Sequence, residues 1–300
     1  MNNWRNYFLA TRPAFLSISI VACLIGFSIA SKGSQPNWGI NFICLILVLL
    51  GHAAANVSND YYDSINGCDG QNINRIYPFT GGSRFIQNKL FTEAQIKQLS
   101  LVIYLATILG GLVLCFVTTW HLVWIGILGL LLGWSYSAPP LKLMCRGVWG
   151  ELAIIGAWAL VVIGSAMLTE HDVTDNSVII GLAYGLMVAN ILFVNQIPDI
   201  EADRNAEKLT LAVVSSKEHI WFWSIAFPSC AYSMLIAAIY LNLLTSSYAL
   251  PLLTLPISLI TARQLSSAID DSKTLKKCIQ KTIITTHLFG LLMLLSIWMS

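Results

Sequence analysis

Apolar runs separated by short polar stretches dominate this chain from end to end. A helix needs about 20 residues to cross the hydrocarbon layer of a bilayer. Nine runs approach or reach that length: 14–31, 38–58, 99–117, 119–136, 148–168, 176–197, 219–240, 247–264 and 279–299. The pattern predicts an all-α integral membrane protein of nine transmembrane helices, forming one domain over residues 1–300. The first run lacks a clear small-residue cleavage site and further spans follow it, so it is read as a retained helix.

Composition agrees with the pattern. The chain is 56% hydrophobic and only 11% charged, with a mean hydropathy of +0.69. No water-soluble fold of 300 residues hides that much apolar surface, so the bilayer is the solvent. The net charge of +2 says little, and nothing points to nucleic acid. The placement of the charges says more. If the nine runs alternate direction, all 17 basic residues except Lys32 fall on one side. Basic loops mark the cytoplasmic face, which places the N-terminus in the cytoplasm and the C-terminus outside. The expected location is a multi-pass protein of a bacterial cytoplasmic membrane. The seven cysteines are dispersed, without a C-x-x-C pair, and argue against a disulfide framework or a zinc site.

Against this apolar background two acidic clusters stand out. The first reads Asn56-Val57-Ser58-Asn59-Asp60-Tyr61-Tyr62-Asp63, with Asp69 just beyond. The second reads Asn195-Gln196-Ile197-Pro198-Asp199-Ile200-Glu201-Ala202-Asp203. Together they hold Asp60, Asp63, Asp69, Asp199, Glu201 and Asp203, in a chain with only 15 acidic residues. They follow the second and sixth runs, so both lie on the cytoplasmic side. The shared Asn-x-x-x-Asp, Asn56/Asp60 and Asn195/Asp199, and the four-run offset suggest two tandem four-helix units plus a ninth helix. Such a repeat turns two equivalent helix ends toward one central cavity.

The spacing carries chemistry. On a helix, carboxylates three or four residues apart share a face. Two adjacent carboxylates repel each other unless a cation lies between them. All-oxygen ligands select Mg²⁺ or Ca²⁺ over zinc, and Mg²⁺ commonly combines one or two carboxylates with substrate phosphates. Asn56 and Asn195, one turn before each first Asp, offer amide oxygens. Asp69 and Glu201 are more weakly placed for metal. Arg84, Lys142 and Lys208 stand near the clusters in sequence and suit the residual charge of a bound phosphate. His52 is expected to be a packed or hydrogen-bonded core residue.

Taken together, these residues resemble the intramembrane UbiA-type aromatic prenyltransferases, over nearly the whole chain. The resemblance rests on Arg12-Pro13, on Asn59-Asp60-Tyr61-Tyr62-Asp63 with Asp69, and on Thr80-Gly81-Gly82-Ser83-Arg84. It continues through Tyr136-Ser137-Ala138-Pro139-Pro140-Leu141-Lys142 and through Asp199-x-x-x-Asp203 with Lys208-Leu209-Thr210-Leu211-Ala212-Val213. Gly67 stands where the wider family has a third Asp, and Asp69 follows it. That favours the branch that prenylates 1,4-dihydroxy-2-naphthoate in the menaquinone pathway. Glu207 and Val214-Ser215-Ser216 depart from the family's second-motif tail and bear on the acceptor.

The resemblance implies a nine-helix bundle around a central cavity and Mg²⁺ as cofactor. Asp60, Asp63, Asp69, Asp199, Asp203, Asn56 and Asn195 would hold the metal. Asn59, Arg84, Tyr136, Lys142 and Lys208 join the two asparagines in binding an allylic polyprenyl diphosphate. Ionisation would give an allylic carbocation for attack by an aromatic acceptor, with Tyr61, Tyr62, Trp134 or Tyr136 as candidates to shield it. Two rival readings share these features. A terpene cyclase of the same type would ionise the diphosphate but close the cation on itself. A cation transporter would use repeat-related carboxylates for transit, yet Lys and Arg beside the clusters oppose cation entry.

Overall fold

The computed structural model describes residues 3–32, 35–67, 75–77, 79–269 and 271–300, and most of the chain within them is helical. A short α1 (Asn3–Ala10) turns through a 3-10 segment, Pro13–Leu16, into α2 (Ser17–Ala30). Then come α3 (Trp38–Asn66), α4 (Glu93–Val117), α5 (Leu122–Ser137), α6 (Trp149–Glu170) and α7 (Asp175–Gln196). Two short helices follow, α8 (Ile200–Asn205) and α9 (Leu211–Val214), and then the long α10 (Ile220–Tyr240). A 3-10 helix, Ser246–Thr254, runs directly into α11 (Leu255–Ala268), and α12 (Ser272–Met299) ends the chain. Two-residue strands β1 (Arg146–Gly147) and β2 (Leu209–Thr210) pair in parallel.

Each of the nine apolar runs falls on helical structure, but they are not nine equal rods. Among the described residues, seven helices are long and apolar enough to cross a membrane. The fourth run gives only the 16-residue α5. It stops where Ala138, ahead of Pro139, turns extended with ψ of 144°; a residue before proline is driven out of the α region. The eighth run is divided between the 3-10 segment, which contains Pro251, and α11, which opens with Pro256. Proline removes a backbone donor and disturbs a regular α-helix. The second run extends further than its apolar residues suggested. α3 continues through the first acidic cluster to Asn66, where Gly67 closes it at φ 80°.

The core lies around α7, which is buried on almost every side and carries Tyr184 and Phe193 at no exposure. A helix apolar all round belongs inside a bundle. Its contact with α6 is close because Gly181 and Gly185 present no side chain. A Cβ on Gly185 would stand 2.4 Å from the Ile155 carbonyl oxygen. Small residues let helix backbones approach in this way in membranes. The opposite behaviour marks the lipid face: Leu101, Leu105, Leu109, Val113 and Phe116 of α4 are all exposed. Trp4, Trp38 and Trp298, near helix ends, are more than two-thirds exposed, as interfacial anchors are. Thr92 with Gln95 and Thr174 with Ser177 cap α4 and α7 reciprocally.

The bundle has two distinct ends. At one, Lys32 Nζ donates to the Ser300 carbonyl oxygen at 2.8 Å and His121 lies 3.7 Å from Asp172. At the other, α1, the end of α3, β1, β2 and both acidic clusters gather. Among the described residues the cysteines are free thiols.

Candidate active site

The first cluster sits on the last turns of α3. Asp60 and Asp63 are 3% and 5% exposed, so their charges need partners. Arg12 supplies one. It adopts φ 55° at the corner between α1 and the 3-10 turn, and its guanidinium contacts Asp60 Oδ1. Arg12 Nη2 also donates to Asn59 Oδ1 at 3.2 Å. Asn56 Nδ2 donates to the Thr11 carbonyl oxygen at 3.1 Å, fixing the same corner. Asn59 Nδ2 lies 3.3 Å from both Ser137 Oγ and Met144 Sδ. The first cluster is therefore tied to the chain start and to the end of α5.

The second cluster is built on a broken path. α7 ends at Gln196, a 3-10 turn spans Ile197–Asp199, and α8 carries Asp203, which is 4% exposed. The chain then doubles back. The Lys208 amide donates to the Asp203 carbonyl oxygen at 2.8 Å. Lys208 Nζ lies 3.1 Å from Asp63 and 3.7 Å from Asp203 Oδ1. One ammonium thus joins a carboxylate from each cluster. A second bridge is made by main chain. Gly81 N donates to Asp199 Oδ2 at 3.2 Å, and Ser83 N to Asp60 Oδ1 at 3.3 Å. Gly81 and Gly82 hold φ of 75° and 66°, left-handed values that a side chain would resist.

Beneath these bridges opens a cavity of about 500 Å³. Asn56, Asn59, Asp63, Asn195, Asp199, Asp203, Lys208 and Tyr136 line it, together with apolar side chains such as Leu47, Ile108, Ile125, Leu168 and Ile191. Ionic groups at one end and an apolar interior suit a ligand with a charged head and a hydrocarbon tail. His52 is on the wall as well as hydrogen-bonded: its Nδ1 lies 2.8 Å from Ser19 Oγ and its ring is edge-on to Trp158 at 5.0 Å.

Several expected residues stand apart from that wall. Asp60 is buried against Arg12 and does not line the cavity, and neither do Arg84 and Lys142. Arg84 takes the left-handed φ of 61° in the loop after Gly82, and Lys142 Nζ donates to Asn66 Oδ1 at 3.2 Å. Glu201 is exposed and off the wall. Of the four aromatic candidates only Tyr136 faces the cavity. Tyr61 and Tyr62 pack edge to face at 5.0 Å, and Trp134 is exposed. Asp69 lies outside the described residues. Two features had no sequence signal: Arg12 as the partner of Asp60, and the bond from Gln196 Nε2 to Glu151 Oε1 at 2.8 Å. Both join residues far apart in the chain, where no spacing rule applies.

The sequence profile of the UbiA prenyltransferase family matches residues 19–294. The chain belongs to the UbiA prenyltransferase family. It is therefore an enzyme, a multi-pass membrane prenyltransferase. It is 29% identical over 269 residues to a UbiA prenyltransferase domain-containing protein 1 of Dictyostelium discoideum, covering 84% of this chain and 74% of that one. It is 28% identical over 205 residues to the 1,4-dihydroxy-2-naphthoate octaprenyltransferase of Bacillus subtilis. That match covers 68% of this chain and 64% of the Bacillus protein, just under two-thirds of its length. In fold it is similar to a UbiA homolog from Archaeoglobus fulgidus, solved bound to GPP and Mg²⁺. The TM-score is 0.68 at 15% identity, over 97% of this chain and 99% of the other.

Proposed function

We propose that this UbiA-family enzyme transfers a prenyl group from an allylic polyprenyl diphosphate to an aromatic acceptor, 1,4-dihydroxy-2-naphthoate or a related quinone precursor. The observation that carries the proposal is the Lys208 ammonium, shared by Asp63 and Asp203 beside an apolar cavity. It unites the two acidic clusters into one anionic site with cations already inside it. The naphthoate-prenylating relatives and the Asp60/Asp63/Asp69 spacing support the choice of acceptor.

The residues present fit Mg²⁺. The donors are all hard oxygens, and Asp60 Oδ2 and Asn195 Oδ1 are buried without a hydrogen-bond donor. Among the described residues no three His, Cys, Asp or Glu side chains form a metal cage by themselves. Such a set suits a metal whose coordination is completed by substrate phosphates. Asp63, Asp199, Asp203, Asn56 and Asn195, which line the cavity, would hold it together with Asp60 and Asp69. When bound, Mg²⁺ would neutralise charge on the diphosphate.

The chain's own groups account for the remaining steps. Lys208 and Arg12 offer N–H donors to a leaving diphosphate, and preorganised cations of this kind stabilise charge as it develops. Scission of the allylic C–O bond leaves the electron pair on the diphosphate oxygen and a cation on carbon. The apolar wall keeps water from that cation, and the Tyr136 ring faces it. The electron-rich ring carbon of the acceptor then forms the new C–C bond and loses its proton. The nine apolar runs and the basic residues between them support nine membrane-spanning segments with the clusters on the cytoplasmic side of a bacterial membrane.

The test is a membrane assay with labelled allylic diphosphate and Mg²⁺, with and without 1,4-dihydroxy-2-naphthoate. We expect prenylated naphthoate only when all three are present, and no product after EDTA. Diphosphate release with a cyclised hydrocarbon and no acceptor would overturn the transfer reading in favour of a cyclase.

A further inference from the structure

Glu151 is a carboxylic residue with no exposed surface, standing in the first turn of α6 and away from the cavity wall. Nothing in the chemistry above uses it. Its Oε1 accepts from Gln196 Nε2 at 2.8 Å, and Gln196 Oε1 accepts from the Ala212 amide at 3.2 Å. Both ends of the Gln196 carboxamide are thereby committed, and Gln196 is itself buried. Three segments meet in this chain of bonds: the start of α6, the last residue of α7 and the first turn of α9.

Those segments frame the Lys208 loop. Gln196 lies directly before the 3-10 turn that presents Asp199, and Ala212 lies four residues after Lys208. On the other side β1 holds β2 in register, Arg146 against Leu209 and Gly147 against Thr210. β1 leads into α6, so both supports of the loop rise from the same stretch of chain. Lys208 stands at the end of a tether fixed twice, once by strand pairing and once by Glu151 through Gln196. A buried amide that loses its acceptor keeps the full desolvation penalty, so loss of the Gln196 oxygen would destabilise the Ala212 segment where it stands.

We propose that Glu151 is a positioning residue for Lys208, acting through Gln196 and the Ala212 amide to set the ammonium between Asp63 and Asp203. The inference rests on the proposed diphosphate chemistry only for its kinetic consequence; the structural tether stands apart from it. Two measurements separate these. The first is backbone hydrogen exchange over residues 209–214 in detergent, without substrate. Glu151→Ala should speed exchange there at least tenfold, and Glu151→Gln, which keeps an oxygen for Gln196 Nε2, should leave it near wild type. Unchanged exchange in Glu151→Ala would overturn the tether, whether or not the enzyme transfers prenyl groups.

The second is steady-state kinetics on the full-length protein in membranes. Glu151→Ala and Gln196→Leu should each raise KM for the allylic diphosphate about tenfold while leaving the acceptor KM within twofold. The double variant should be no worse than either single one. Glu151→Gln should restore the diphosphate KM to within about threefold. If Glu151→Gln is as impaired as Glu151→Ala, the carboxylate acts chemically and the positioning role is wrong. If wild-type protein turns over no allylic diphosphate at all, the functional reading fails while the exchange result still judges the tether.

Discussion

The two acidic clusters are chemically alike and mechanically different. Asp60 and Asp63 ride on an unbroken 29-residue helix, so their spacing is fixed by helical geometry. Asp199 and Asp203 lie where α7 gives way to a 3-10 turn and the six-residue α8. Their positions depend on contacts from elsewhere: the Gly81 amide, Lys208, and the Gln196 link to α6. One half of the site is rigid by local structure and the other by tertiary ties.

The largest effects should come from the carboxylates themselves. We expect Asp63→Ala and Asp203→Ala each to lower turnover by roughly 100- to 1000-fold, the range seen when one preorganised charge-stabilising group is lost. Initial rates in membranes, normalised to folded protein, check this. Equal losses would show that the two halves contribute alike despite their different supports. A loss below tenfold at Asp203 would break the comparison and leave the first cluster as the site.

Removing the shared cation should cost less. Lys208→Ala should lower kcat/KM for the allylic diphosphate by roughly 10- to 100-fold, chiefly through KM. Lys208→Arg should recover only part, because a planar guanidinium does not replace a compact ammonium between two carboxylates. Acceptor KM measured in parallel should not move; an acceptor-only defect would reassign Lys208. Gly81→Ala follows. At φ of 75° a side chain costs about 1–2 kcal/mol, and the amide that donates to Asp199 must shift. A lower unfolding temperature with about a tenfold fall in activity is expected. Normal values for both would mean that the Gly81 bridge is dispensable.

The sequence made the helical bundle legible because membrane burial is written in long apolar runs. It revealed less where proline overrides hydropathy, at Pro139 after α5 and at Pro251 ahead of α11. The spacing of Asp60, Asp63, Asp199 and Asp203 was legible locally, and in the structure Lys208 pairs with one carboxylate from each cluster. The contacts of Arg12 with Asp60 and of Glu151 with Gln196 were not readable. Their partners lie on other helices, and only packing brings them together. Arg84 and Lys142 neighbour the motifs in sequence but are not among the residues lining the cavity.

Glu201 marks the lower limit of these effects and sharpens the comparison. It is acidic, lies between Asp199 and Asp203, and belongs to the half of the site held by tertiary ties, yet its side chain is exposed. If charge near the cavity were enough, Glu201→Ala would slow the enzyme. If geometry decides, the substitution should change stability by less than about 0.5 kcal/mol, as surface changes usually do. Turnover and Mg²⁺ dependence should then stay within twofold of wild type. A Mg²⁺ requirement raised tenfold would mean that α8 turns when metal binds and brings Glu201 inward, which the continuous helix of the first cluster has no means to do.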